Sequence, residues 1–324
     1  MDRGHGPGVS ERIAIALTVA GSDSGGGAGI QADLRTFAAL GVYGASVVTA
    51  LTAQNTKGVR AIHYPPPAIV AEQIDAVLED FAVAAIKVGM LGTAEIVGAV
   101  AAKLPCGTRA APARARAQAL AGKGFGVRGR HARVVNADPS SSEFRSPPSP
   151  SRGEGRQEPF IVYDPIMTAS SGDPLSGAGF VEAVRTNLLR LVDCLTPNLA
   201  EAAALLGEKV ARSESDMALQ GAALLKLGPR AVLMKGGHLD GGEAVDLLIT
   251  AEAVRRYAAP RIASSSLHGT GCTLSSAIAA NMVHGMALTE AVAAAKTFVG
   301  EAIVRGRHVW LGAGDGPLIQ ATVR

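Results

Sequence analysis

Residues 13–40 read IAIALTVAGSDSGGGAGIQADLRTFAAL, and the architecture shows first in this segment. Ile13 to Ala20 is a short apolar run closed by glycine, the pattern of a buried strand. Gly29 to Leu40 then carries apolar residues at helical spacing. Between them lies Gly21-Ser22-Asp23-Ser24-Gly25-Gly26-Gly27-Ala28-Gly29. Glycines there let the backbone approach a ligand, and the helix start offers free N–H groups. The spacing fits GxGxxG poorly at its first glycine, and no Walker lysine follows, so the loop is not a P-loop. Taken alone, it is compatible with a ligand loop or with a plain tight turn.

The strand–loop–helix unit recurs along the chain. Ala45 to Leu51, Ala85 to Val88, Phe160 to Asp164, Cys194 to Thr196 and Ala231 to Lys235 read as further buried strands. Pro67 to Phe81, Thr93 to Leu104, Gly177 to Leu191, Asn198 to Leu206 and Glu214 to Leu227 have helical spacing. Gly271 to Gly285 reads as a buried helix, and Leu288 to Arg305 follows it. Such alternation predicts an α/β fold in three layers, a mostly parallel sheet with helices on both faces. In these folds ligands bind beyond the carboxyl ends of the strands.

Composition bounds the class. The chain has 324 residues, of which 48% are hydrophobic and 18% charged, enough for a sizeable core and against global disorder. No apolar stretch reaches the ~18–20 residues needed to span a bilayer, and the polar start has no secretory pattern. Three widely spaced cysteines, Cys106, Cys194 and Cys272, fit a reduced cytoplasm without a disulfide framework. Residues 1–12 read as a flexible start, and 13–324 as a single domain. Residues 105–158 break the pattern: 28 of them are Arg, Gly, Pro or Ser, and four are Leu, Ile, Val or Met. That composition buries too little apolar surface to offset ordering entropy, so the segment reads as a solvated, disordered insertion. It holds ten Lys/Arg and four Asp/Glu, so the whole chain's net charge of +3 originates there and the remainder is acidic. No aromatics alternate with its basic residues, so a nucleic-acid partner is not expected.

Several strand ends carry chemistry. His268-Gly269-Thr270-Gly271-Cys272-Thr273 precedes a long apolar helix, so the amides of Gly269 to Cys272 form a helix N-terminus that favours negative charge. A cysteine there is expected to have its thiolate favoured; a small buried Cys at a glycine-rich cap is the other reading. Asp164-Pro165 ends one strand, and Asn198-Leu199-Ala200-Glu201 follows another. Carboxylates so placed suit Mg²⁺, which takes few protein oxygens, although Asn198 and Glu201 also read as a capping box. Lys235, before Gly236-Gly237, is placed to meet a phosphate or to lie solvated in a turn.

As an ordered set, these segments resemble the hydroxymethylpyrimidine/phosphomethylpyrimidine kinases, of the ribokinase-like superfamily. The motifs are AGSDSGGGAGIQADLRTFAALGVYG, ALTAQNT, KVGMLG, DPIM-x3-SGDPL, TPNLAEA, VLMKGGH and HGTGCTLSSAIAA, covering roughly 13–104 and 159–320. The resemblance implies a cytoplasmic homodimer that uses ATP and Mg²⁺. It would phosphorylate 4-amino-5-hydroxymethyl-2-methylpyrimidine, and then its monophosphate, for thiamine diphosphate synthesis. It implies that Asp33 and Gln54 hydrogen-bond the aminopyrimidine, that Met90 and Ile166 pack on its ring, and that Gly21 and Thr52 complete the pocket. Gly269, Gly271 and Cys272 would form the anion hole, with Cys272 as catalytic base. Lys235, Asn198 and Thr270 would meet the nucleotide, and Asp164 and Glu201 would organise Mg²⁺. Pyridoxal or pyridoxine kinase is the alternative within this class, and a pyrimidine-binding paralogue with impaired catalysis is the alternative outside it. Gln54, able to donate and accept, favours the pyrimidine. Two departures stand out: Ser170, where many relatives carry Lys, and the insertion.

The insertion joins a helix to the amino end of the next strand, away from the expected site, and loop-closure cost grows only logarithmically with length. Deleting 105–158 is therefore expected to leave kcat nearly unchanged in a steady-state kinase assay; a large loss would assign the segment a role in catalysis.

Overall fold

The computed structural model describes residues 13–105 and 158–321, apart from positions 170, 238, 240, 265 and 315. The expectations for 1–12, the bulk of the insertion, Cys106 and Ser170 lie outside the described residues. The chain begins β1 (Ile15–Asp23), α1 (Gly29–Ala39), β2 (Tyr43–Asn55), β3 (Gly58–His63), α2 (Pro67–Asp80), β4 (Ala85–Val88), α3 (Ala94–Lys103) and β5 (Phe160–Tyr163). It continues α4 (Phe180–Ala183), β6 (Cys194–Leu195), α5 (Leu199–Leu206), α6 (Glu214–Leu225), β7 (Ala231–Lys235), β8 (Glu243–Thr250), β9 (Val254–Pro260), α7 (Thr270–Val283) and α8 (Leu288–Gly306).

The strands form one sheet in the order β3-β2-β1-β4-β5-β6-β7-β8-β9. The six from β2 to β7 are parallel, while β3, β8 and β9 join antiparallel at the two edges. Strand order reverses direction between β1 and β4, which makes their carboxyl ends a crevice where ligands bind in open α/β sheets. The three antiparallel strands escape periodicity. β3 and β9 lie exposed or half-exposed along their length, so no continuous apolar run marks them. The predicted helix 177–191 is also broken: α4 runs into a π-turn over Val184–Leu188 and a 3-10 turn over Leu189–Leu191. The extra residue in the wide turn lets Leu188 and Leu189 both reach zero exposure in the core.

Alternation along the strands builds two unequal faces. Leu17, Val19, Ile86, Val88, Ile161, Tyr163 and Met234 fill the face covered by α2 to α6. Ala16, Ala85, Val162, Cys194 and Ala231 line the other, under α1, α7 and α8. Small residues on that side, matched by Ala277, Ala279 and Ala280, let α7 sit deep against the sheet. Lys87 shares this face with Ala85, two residues earlier in β4, and has no exposed surface. The flanks of the insertion, after α3 and before Phe160, adjoin the amino end of β5, opposite Asp164. Among the described residues, no helix is long and apolar enough to cross a membrane.

Candidate active site

One cavity of about 660 Å³ opens at the carboxyl edge of the sheet. Its walls come from the end of β1, Met90 after β4, Asp164 after β5, Asn198 and Glu201 at the start of α5, Lys235 ending β7, and the loop before α7. Gly21, Thr52, Gln54, Met90, Ile166, Gly269, Thr270, Gly271 and Cys272 line it as the sequence predicts.

Asp33 does not line it. Its carboxylate has no exposed surface; Lys87, Thr18 and Ser276 donate hydrogen bonds to it below the cavity floor. The sequence expects Asp33 to meet a pyrimidine, whereas the structure places its carboxylate off the cavity lining and among protein donors. Sequence reasoning gave Lys87 no role, yet a lysine inside the apolar run Ala-Ile-Lys-Val is itself a signal, since a buried ammonium demands a carboxylate.

The cavity has three parts. At one end Met90 and Leu175 pack with Ala50, Ile166 and Ala169 into an apolar slot. Gln54 stands at its rim, its Nε2 3.4 Å from His268 Nε2, and Thr52 Oγ1 donates to the Ser22 carbonyl at 2.9 Å. In the middle, Lys235 Nζ lies 2.5 Å from Asp164 Oδ1 and 3.7 Å from Glu201 Oε2. Asn198 and Glu201 form the reciprocal capping box, so the cap holds the carboxylate in place. Burial pushes the Glu201 carboxyl up to about 7; Asp164 adds to this, and Lys235 and the Asn198 amide oppose it. At the other end, Ile262, Val299 and Ile303 make a second apolar patch, with Lys296 bonded to Asp246 at 2.6 Å. Arg261 donates to the carbonyls of Gly237, Leu239 and Gly241, holding the loop after Lys235. Asp246, Arg261 and Lys296 carry no local motif: Asp246 and Lys296 meet only through the antiparallel edge, and Arg261 finds its carbonyl partners across the same edge.

Cys272 sits in the first turn of α7, whose N-cap, Gly269, contributes no side-chain cap. The structure corrects the expected direction of its acidity. Burial pushes the thiol up to about 11, with the Asp33 and Asp164 charges adding to it and Lys87 and the Gly29 amide opposing. Cys272 lines the cavity but is only 5% exposed, so desolvation outweighs the helix N-terminus.

A latch joins the two glycine loops. His268 Nε2 lies 3.0 Å from Asp23 Oδ2, and the amides of Gly25, Gly27 and Ala28 donate to the same carboxylate. Burial pushes Asp23 up, but the His268 and amide hydrogen bonds outweigh it and hold it below its ordinary range. Gly269 has φ +85°, and a β-carbon there would come within 2.0 Å of the Gly27 carbonyl oxygen.

A lysine between two carboxylates and a helix N-terminus, flanked by two apolar slots at the crevice of this sheet, defines a ribokinase-like small-molecule kinase. The sequence profile of the phosphomethylpyrimidine kinase family matches residues 23–112 and 154–319, and the chain belongs to that family. It is 43% identical over 305 residues to the hydroxymethylpyrimidine/phosphomethylpyrimidine kinase of Rhizobium meliloti, covering 94% of this chain and 96% of that one. Among solved structures, it resembles phosphomethylpyrimidine kinase from Clostridium difficile 630 with a TM-score of 0.66. Their identity is 36%, over 90% of this chain and all of the other. It also resembles pyridoxal kinase from Staphylococcus aureus in complex with AMP-PCP and pyridoxal, with a TM-score of 0.73 at 27% identity, over 95% and 94% of the two chains.

Gly269→Ala is expected to destabilise the protein by about 2 kcal/mol or more in urea melts, because the substitution strains a left-handed residue and strikes a carbonyl. Gly98→Ala, in the middle of α3 with nothing within 4 Å, is expected to stabilise it by about 0.5–1 kcal/mol. Equal effects would remove the close approach of the two loops as a constraint.

Proposed function

We propose that the chain transfers the γ-phosphoryl group of ATP to the hydroxymethyl group of 4-amino-5-hydroxymethyl-2-methylpyrimidine, and then a second one to the resulting monophosphate, in thiamine diphosphate synthesis. The observation that carries this is the set of parts in one cavity: an apolar slot with Gln54 at its rim, Cys272 and the α7 amides, and Lys235 among Asp164 and Glu201. The relatives' names and the 43% identity support the same acceptor.

The geometry supports the following roles. Met90 and Ile166 sandwich the ring, and Gln54 pairs with its polar edge. The hydroxymethyl oxygen then faces Cys272, which in its thiolate form takes the alcohol's proton as the oxygen bonds to the γ-phosphorus and the bond to the β-phosphate oxygen breaks, releasing ADP. Amides of Gly271 and Cys272 and the ammonium of Lys235 stabilise charge on the transferring group. The distal apolar patch, with Ile262, Val299 and Ile303, takes the base of the nucleotide. In the second step the acceptor is already anionic, so removal of a proton matters less.

Mg²⁺ fits the central carboxylates. Two of them share a single lysine, and burial, with the Asp164 charge adding to it, pushes Glu201 up to about 7. Asp164 and Glu201 would hold the ion, which neutralises phosphate charge when bound. The family profile matches on both sides of 113–153, which supports reading the segment as an insertion in a single domain. The homodimer belongs to the same reading, and sedimentation velocity tests it. A second reading, phosphorylation of pyridoxal, is favoured by the backbone likeness to pyridoxal kinase.

ADP release is measured with Mg-ATP and each acceptor in turn: the pyrimidine alcohol, its monophosphate, and pyridoxal. Turnover of both pyrimidines is expected, and turnover of pyridoxal alone would transfer the chain to the second reading. Cys272→Ala is expected to lower kcat on the alcohol by about 10²–10⁴-fold and on the monophosphate far less. Equal losses would reduce Cys272 to a structural role. Glu201→Gln is expected to abolish most turnover yet stabilise the substrate-free protein above pH 7. With the folded carboxyl raised from 4.5 to about 7, wild-type stability falls as pH rises through that window. The variant's advantage in melting temperature therefore grows from about pH 4.5 to about 7 and is absent below it. A pH-independent difference would contradict the assignment.

A further inference from the structure

Helices α1 and α7 meet through two rungs, each one helical turn from the other. Gly29 and Asp33 are four apart on α1, and Cys272 and Ser276 are four apart on α7. On the upper rung the Gly29 amide acts on the Cys272 thiol in the sense that favours its thiolate. On the lower rung Ser276 Oγ donates to Asp33 Oδ1 at 2.7 Å. The other donors to Asp33 come from the sheet: Thr18 Oγ1 at 2.6 Å from β1, and Lys87 Nζ at 2.8 and 3.0 Å from β4. The carboxylate thus accepts four hydrogen bonds, with neither it nor Lys87 exposed to water. Gly89 leaves the space for the ammonium, since a β-carbon there would lie 2.7 Å from Nζ.

A buried ion pair is weak evidence for stability, because apolar residues of similar volume often serve as well. This one is placed to do something else. It fixes how far α1 and α7 can slide, and that register decides whether the Gly29 amide and the first turn of α7 converge on one sulfur atom. We propose that Lys87, through Asp33, is a positioning residue that holds the Gly29 amide and the α7 N-terminus on Cys272, so that its thiolate can take the acceptor's proton. The proposal rests on the reading of Cys272 as base. The charged groups acting on that sulfur are Lys87 from β4, Asp33 from α1, Asp164 after β5 and Lys235 from β7, with Asp33 and Asp164 disfavouring the thiolate and Lys87 favouring it.

The test is the paired variant Lys87→Met/Asp33→Asn, which removes both charges while keeping side-chain length. Cys272 alkylation by iodoacetamide is followed against pH in the substrate-free protein by peptide mass spectrometry, and kcat and KM are measured for both acceptors. The expected result is a folded protein whose alkylation profile moves to higher pH by about one unit. Its kcat should fall about tenfold or more on the alcohol, with the monophosphate step and the KM for ATP within about threefold. A folded variant with the wild-type alkylation profile, or with equal losses on both acceptors, would overturn the proposal. If the pair does not fold, Ser276→Ala cuts only the α7 side of the lower rung. It is expected to move both readouts the same way by about threefold, and no movement would overturn the proposal equally. Full alcohol turnover by Cys272→Ala removes the base reading itself. A normal Cys272→Ala loss beside an unaltered paired variant removes only the positioning role.

Discussion

A lysine and an aspartate without any exposed surface sit where β1, β4, α1 and α7 meet, and the geometry of the site depends on that pair. Two helix N-termini are brought together there, and both carry partial positive charge, so the arrangement is unfavourable unless something compensates. Asp33, one turn inside α1 and bonded to α7 through Ser276, supplies the negative charge between them. Lys87 from the sheet then balances the carboxylate, so no net charge is left in the core. Small residues on this face, Ala16, Ala85, Ala277 and Ala280, let the helix approach closely enough for the bonds to form.

Above that neutral floor the cavity is deliberately unbalanced. Lys235 faces two carboxylates, and burial holds Glu201 near 7, so these groups carry a charge conflict among themselves. Such a centre suits phosphates that arrive with a cation rather than bare phosphate. Cys272 is likewise disfavoured as a thiolate until the charges around it change. Both groups illustrate a site that gives up stability in its substrate-free state in exchange for function.

The fold does not choose the acceptor. The backbone superposes on a pyridoxal kinase with a TM-score of 0.73 and on a phosphomethylpyrimidine kinase with 0.66. What separates the readings is side-chain chemistry at the apolar slot, above all Gln54, together with the higher identity to the pyrimidine kinases. Function is therefore argued from the site and from family membership, with the α/β frame serving as the support that aligns the loops.

Local pattern was enough for much of this. The apolar runs at Ala85–Val88 and Ala231–Lys235 match their strands residue for residue, because buried parallel strands carry continuous apolar sequence. The glycine loops, Asp164, Asn198, Glu201, Lys235 and Cys272 were legible too, since each ends a strand or begins a helix, and the chain order brings those points to one edge. The edge strands β3 and β9 were not legible, because exposed strands carry no distinctive period. Asp33 was read as a ligand contact because its motif marks it, but only packing shows that Lys87 claims it first. The direction of the Cys272 shift was likewise hidden: a helix N-terminus is visible in sequence, whereas desolvation is not. The sequence by itself determined the order of the parallel strands and their helices, the family, and the strand-end and glycine-loop residues of the cavity. Tertiary structure alone decided which charges are buried, which partners they find and how acidic the thiol is, because those energies depend on what packs around a group and not on its neighbours in the chain.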